Sequence, residues 1–171
     1  IKEDLSNLAF FHSLKHHPFK TLFYSLVFLF KGKPYLKDKI SKHFDIPFES
    51  LTFNKAAFDF VREVKNRHRV VYLISGSHQI LVDQMGKHLN IFFESFGTKD
   101  DFNMVGINKV HFIKENLKIN DFDYLGNSHK DLPIWKYCKR AIYTNASKEL
   151  QKTIQSLDFE HKEIPANFSK T

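Results

Sequence analysis

One cysteine, Cys138, excludes an internal disulfide framework and points to a reducing compartment. No secretory signal is visible. The longest apolar run, Leu22 to Phe30 broken by Ser25, falls far short of the ~20 residues that cross a bilayer. Repeats and low-complexity tracts are lacking. Neither an aromatic RNA-binding motif nor a helix-turn-helix signature stands out, so a nucleic-acid partner is not favoured. Methionine (2) and tryptophan (1) are scarce beside 19 phenylalanines, which read mostly as core filler. Carboxylates are the minority charge. There are 19 Asp and Glu against 26 Lys and Arg, a net +7 with histidine neutral. That excess favours anionic partners such as phosphate esters, nucleic acid or anionic lipid, without choosing among them. The 171 residues suffice for one domain with a modest insertion and a sizeable core.

What is present changes character near residue 69. Before it the pattern is helical: around Leu5 to Leu14, from Pro18 to Gly32, from Tyr35 to Phe44, and from about Asn54 to Asn66. After it, short apolar runs alternate with helical ones. Strands are predicted at 69–75, 91–96, 122–125 and 140–144. Helices are predicted at 78–89, 107–117 and 131–138, with a last one capped by Ser147 and reaching about Leu157. Alternation of this length gives a parallel sheet with helices on both faces, an α/β class of Rossmann-like build. The division expected is a helical cap with its connections at 1–58, an α/β core at 59–160 and a polar tail at 161–171.

Ligands in such sheets bind at the carboxyl ends of the strands. Ser75-Gly76-Ser77, the Gly126 to Asp131 loop and Thr144-Asn145 fall at such ends, and Lys109 opens a helix after a polar loop. A hydroxyl, a backbone turn, an ammonium and a carboxylate meeting at one edge would form a phosphate-and-cation pocket. Each has a plainer use. A serine after a strand usually caps a helix, a lone lysine is usually solvated, and Asp131 can serve the orphan N–H groups of the next helix.

The order Ser75, Lys109, then Gly126-Asn127 and Asp131, each after its strand, resembles motifs two to four of the haloacid dehalogenase (HAD) superfamily. It is most similar to the phosphoserine-phosphatase-like subgroup with a helical cap. Tyr124-Leu-Gly-Asn-Ser-His-Lys-Asp-Leu-Pro-Ile-Trp135, Leu73-Ile-Ser-Gly-Ser77, Arg140-Ala-Ile-Tyr-Thr-Asn-Ala-Ser147 and Gly32-Lys33 also look like HAD domains associated with UbiA-type membrane prenyltransferases. The resemblance spans most of residues 1–150; its specific part is the region around Asp131. It implies phosphoryl transfer to an aspartate, followed by hydrolysis of the aspartyl phosphate. Ser75, Gly76 and Lys109 would bind the phosphoryl group, with Ser75 and Lys109 acting in catalysis. Asp131 and Asn127 would hold Mg²⁺. The substrate would be a small phosphate ester, the setting cytoplasmic or the cytosolic face of a membrane.

Two departures from that pattern stand out. Asn127 occupies a position that is usually Asp, which removes a charge from the metal side. No Asp-x-Asp follows an apolar strand. Asp121 and Asp123 have the spacing but precede their strand, and Ile1-Lys-Glu-Asp-Leu resembles the stretch just after the nucleophile motif. The nucleophile and the first, central strand are therefore expected upstream of Ile1. The rival reading is a catalytically inactive HAD-like docking or regulatory domain of a membrane prenyltransferase. The Phe-rich helix at 19–30, with lysines at both ends, reads as a cap over the site, with an anionic membrane contact as the alternative.

Overall fold

A computed structural model of the chain describes residues 2, 4–42, 44–99 and 102–170, apart from the side chains of Lys33, Pro34 and Lys170. Ile1 and Glu3, in the segment read as trailing a nucleophile motif, lie outside the described residues, as does Thr171. The chain divides into two compact units, residues 1–54, 60–104 and 168–171 in the first, and residues 55–59 and 105–167 in the second.

The first unit opens with α1 (Leu5–His16), started by Asp4, whose Oδ1 accepts the N–H groups of Ser6 and Asn7 at 2.8 and 3.2 Å. The chain turns at His17 into α2 (Pro18–Ser41), where proline at the first position needs no N–H partner. The two helices expected at 18–32 and 35–44 form this single kinked element. Gly32, at φ 79° and ψ 177°, carries the kink in backbone space that other residues rarely enter. A short strand β1 (Thr52–Asn54) pairs antiparallel with residues 168–170, and α3 (Lys55–Asn66) follows. β2 (Tyr72–His78), α4 (Gln79–Leu89) and β3 (Glu94–Thr98) make a strand–helix–strand segment whose two strands are parallel. Leu5, Ala9, Ile40, Leu51, Leu81 and Met85 share one core. The helical N-terminal segment is thus packed with β2 and α4.

The second unit holds α5 (Ile107–His111), which runs into a π turn at Phe112–Asn116. β4 (Asp123–Gly126) follows, then a 3-10 turn at His129–Asp131, α6 (Leu132–Trp135), β5 (Arg140–Thr144), α7 (Lys148–Gln155) and β6 (Glu160–Ile164). β4, β5 and β6 form a parallel sheet in that order. Trp135, Ala141, Tyr143, Leu150 and Ile154 are its core. Residues 161–164, read as tail, belong to the edge strand β6. Glu160, His161, Lys162 and Glu163 are exposed and only Ile164 is buried, so no apolar alternation announced it. β7 (Phe168–Lys170) then pairs with β1.

The class is α/β with parallel pairing. Among the described residues β2 pairs with β3 alone and β4 with β5 alone, so each is an edge of its own sheet. Among the described residues no helix is long and apolar enough to cross a membrane.

Candidate active site

In the second unit the sequence-predicted Lys109 and Asp131 come together at the carboxyl end of β4. Lys109 lies on α5, started by Gly106 at positive φ, and its side chain is buried. Lys109 Nζ donates to the Tyr124 hydroxyl at 2.7 Å, and that hydroxyl donates to Asp131 Oδ1 at 3.0 Å. The ammonium is itself 3.8 Å from Asp131 Oδ1. Asp131 Oδ2 accepts the N–H groups of Asn127 (3.0 Å) and Ser128 (3.1 Å) and the Ser128 hydroxyl (3.2 Å). One carboxylate therefore ties a lysine, a tyrosine and the turn after β4 into a single network. The Ser128–Asp131 pair is also a capping box at the start of the 3-10 turn.

Burial controls the ionisation of this group. It pushes the Lys109 ammonium below its ordinary range, with Asp131 opposing. It lifts the Tyr124 phenol well above its ordinary range, reinforced by the Asp131 charge and hydrogen bond. Tyr124 thus stays a neutral relay between cation and carboxylate. The sequence reading gave Tyr124 no role of its own; its position two residues before Gly126 on the same strand was the available signal. Trp135 Nε1 donates to the Tyr124 carbonyl at 3.2 Å and anchors α6 to β4. Cys138 is a partly buried free thiol that packs beside α6. Its thiol is pushed up to about 11, first by burial, and its Sγ lies 3.3 Å from the Trp135 carbonyl.

Gly126 is required by this arrangement. A Cβ there would sit 2.8 Å from Asp131 Cγ and Oδ2. Because three donors fix Oδ2, the carboxylate cannot swing aside freely. Gly126→Ala is expected to displace Asp131 and lower the melting temperature by roughly 4–8 °C, for a cost of about 2 kcal/mol in a chain of this size. Differential scanning calorimetry checks it; an unchanged transition would show that the loop yields without strain.

Asn127 lies at the turn with its side chain exposed, and that side chain makes no hydrogen bond among the described residues. Mg²⁺ takes six oxygens in near-octahedral geometry and keeps several waters. The Asn127 amide oxygen suits such an ion. Asp131 suits it less as a direct ligand, since Oδ2 already accepts three hydrogen bonds and an ammonium stands beside Oδ1. Among the described residues no cluster of three or more His, Cys, Asp or Glu could hold a metal.

Ser75 and Gly76 belong to the first unit. The regular β2–β3 ladder runs to Ile74↔Phe96 and resumes at His78↔Thr98, so β2 spends three residues where β3 spends one. The bulge is Ser75-Gly76-Ser77, read from sequence as the residues just beyond the strand. Bulges re-aim side chains and recur beside active sites. The Ser77 N–H donates to Ser75 Oγ at 3.2 Å; the Ser75 proton itself has no acceptor among the described residues. The Gly76 carbonyl accepts Lys37 Nζ at 2.5 Å and Thr98 Oγ1 at 2.9 Å, and Lys37 also donates to Asn103 Oδ1 at 3.2 Å. Lys37, from the second half of α2, is a cation that the sequence reading missed. It is 39 residues from Gly76, and nothing in its local pattern marks it.

Comparison with known proteins finds a relative 25 % identical over 160 residues, an uncharacterized protein, y4nM, of Sinorhizobium fredii. The match covers 94 % of this chain and 31 % of that protein, so the chain spans under a third of the relative's length. No family model and no solved structure matches the chain.

Proposed function

We propose that this chain belongs to a Mg²⁺-dependent phosphoric monoester hydrolase of the HAD type, built on a Rossmann-like core. The observation that carries the reading is the Lys109–Tyr124–Asp131 network at the end of a parallel strand. A buried lysine held there by Tyr124 and Asp131 would neutralise charge that builds up during phosphoryl transfer. The bulged Ser75-Gly76-Ser77 segment supports it, with an O–H and a backbone turn of the kind that binds phosphoryl oxygens.

In this reading a nucleophilic aspartate that is not among residues 1–171 attacks phosphorus and the ester P–O bond breaks. The alcohol leaves with a proton, and water then cleaves the acyl phosphate to release inorganic phosphate. Lys109 offsets charge on the carboxylate and the phosphoryl group, Ser75 donates to a phosphoryl oxygen, and Asp131 orients Lys109 and the 126–131 turn. The Asn127 amide oxygen would help hold Mg²⁺, which would offset repulsion between carboxylate and phosphate. Asp131 acts through the turn and through water. The substrate is a small phosphate ester, with a phosphorylated prenyl-linked or sugar intermediate favoured by the likeness to prenyltransferase-associated domains.

A second reading, an inactive docking or regulatory domain of a membrane prenyltransferase, draws on Asn127 and on the saturated hydrogen bonding of Asp131 Oδ2. Asn127→Asp separates the two. If the turn faces Mg²⁺, the added charge should tighten the metal by about tenfold or more in isothermal titration. An unchanged or weaker Mg²⁺ affinity would count against the enzyme reading and for the docking domain.

A further inference from the structure

The first half of α2 turns most of its large apolar side chains outward. Phe19, Leu22, Phe23, Leu26, Leu29 and Phe30 recur at helical spacing and all face outward, with Phe19 88 % and Phe30 86 % exposed. Turned inward are Thr21, Tyr24 and Ser25 together with the partly buried Val27 and Phe28. Thr21 is fully buried, its hydroxyl lies 2.7 Å from that of Ser13 on α1, and Ser25 Oγ donates to the Thr21 carbonyl at 2.8 Å. Phe11 and Leu14 of α1 extend the outer face. The apolar area presented is on the order of 1,000 Å², above the roughly 300–600 Å² of the largest patch on an ordinary monomer. A helix–helix contact that includes small hydroxyl residues, with large apolar side chains outside, is found where the surroundings are lipid.

Charge and length narrow the occupant. From Leu5 to Lys37 the sequence has no Asp or Glu, but five lysines and three histidines. Two copies meeting through this face would bring those cations together, which opposes a self-complementary dimer. The helical stretch before Gly32 covers residues 18–31, about 21 Å of helix, too short for the ~30 Å hydrocarbon core. Beside the stripe lies an open cavity of about 180 Å³ lined by Ser13, His17, Lys20, Tyr24 and Lys39. Its two ammonium groups and two hydroxyls suit a phosphate, although Lys39 also pairs with Asp38 at 3.2 Å.

We propose that the α1–α2 hairpin seats the protein on an anionic bilayer. The Phe/Leu stripe enters the acyl boundary without spanning it, and the cavity at Lys20 receives a lipid phosphate. The mode is that of an interfacial amphipathic element, in which apolar burial and attraction to anionic lipid act together.

Co-sedimentation with vesicles of phosphatidylcholine alone, or with a quarter phosphatidylglycerol, tests this on the full chain. Binding is expected to be about tenfold or more tighter to the anionic vesicles and to weaken as salt rises. Leu22→Ser with Leu29→Ser, both at exposed positions, should abolish it, and Lys20→Ala should weaken it. Leu22→Trp gives a second measurement. Its emission should shift to the blue and be quenched by brominated lipid, against the constant signal of buried Trp135. No preference for anionic vesicles, or an unquenched Trp at position 22, overturns the proposal. So does concentration-dependent dimerisation removed by the double serine variant without any vesicle binding. Protection of Lys20 by inorganic phosphate without vesicle binding would assign the cavity to a free anion and overturn the lipid assignment.

Discussion

Lys109→Met is expected to lower phosphate-ester hydrolysis by roughly 10²–10³-fold in kcat, the scale seen when one preorganised group stabilising transition-state charge is removed. Methionine keeps the length and apolar stem of the side chain, so the space around α5 stays filled. What is lost is the ammonium that Tyr124 and Asp131 hold in place. Asp131 keeps the Tyr124 hydroxyl and the three donors of the 127–128 turn, so the fold should survive a cost of about 1–3 kcal/mol. A folded Lys109→Met protein with near-normal kcat would remove Lys109 from the reaction and leave it a structural ion-pair partner.

Asp131→Asn should have the larger effect on stability. The carboxylate accepts on both oxygens: Tyr124 on Oδ1, and Asn127 and Ser128 donors on Oδ2. An amide must turn its NH₂ toward one of those sides, where a donor meets donors. At about 1–3 kcal/mol for each unsatisfied buried group, a loss near 2–3 kcal/mol corresponds to roughly 5–10 °C in melting temperature. The pH dependence has a defined sign. Without its counter-charge, burial holds the Lys109 ammonium still further below its unfolded value of about 10.4. Where the unfolded chain binds more protons than the folded one, stability rises with pH. The deficit of Asp131→Asn should therefore narrow as pH rises toward about 10. Melting curves across that window check it; a deficit that widens would mean that Lys109 does not depend on Asp131.

Residues whose local chemistry and tertiary role coincide were legible in the sequence. β5 and α7 stand where apolar spacing and the Ser147 cap put them, with the Ser147 side chain accepting the Leu150 N–H at 3.2 Å. Gly126 and Asp131 stand out as a pair because one must lack a Cβ for the other to fit. Features set by distant contacts were illegible. Tyr124 looks like any aromatic strand residue until Lys109 is brought against it. Lys37 looks solvated until the kink at Gly32 aims the second half of α2 at the β2 bulge. β6 is hidden because a sheet edge needs little apolar surface, and its ladder with β5 is made by the backbone with one Arg140–Glu160 pair at its start. The Phe-rich helix was read as apolar, but which face it buries is a property of packing and not of composition.

Steady-state release of phosphate from p-nitrophenyl phosphate by the protein at its native length, with and without Mg²⁺, bears on all of these assignments together. Turnover that requires Mg²⁺ and that falls in the Lys109→Met and Ser75→Ala variants, each shown to be folded, is the predicted result. Absence of turnover across a panel of phosphate esters, or turnover indifferent to Mg²⁺ and to both substitutions, would contradict it.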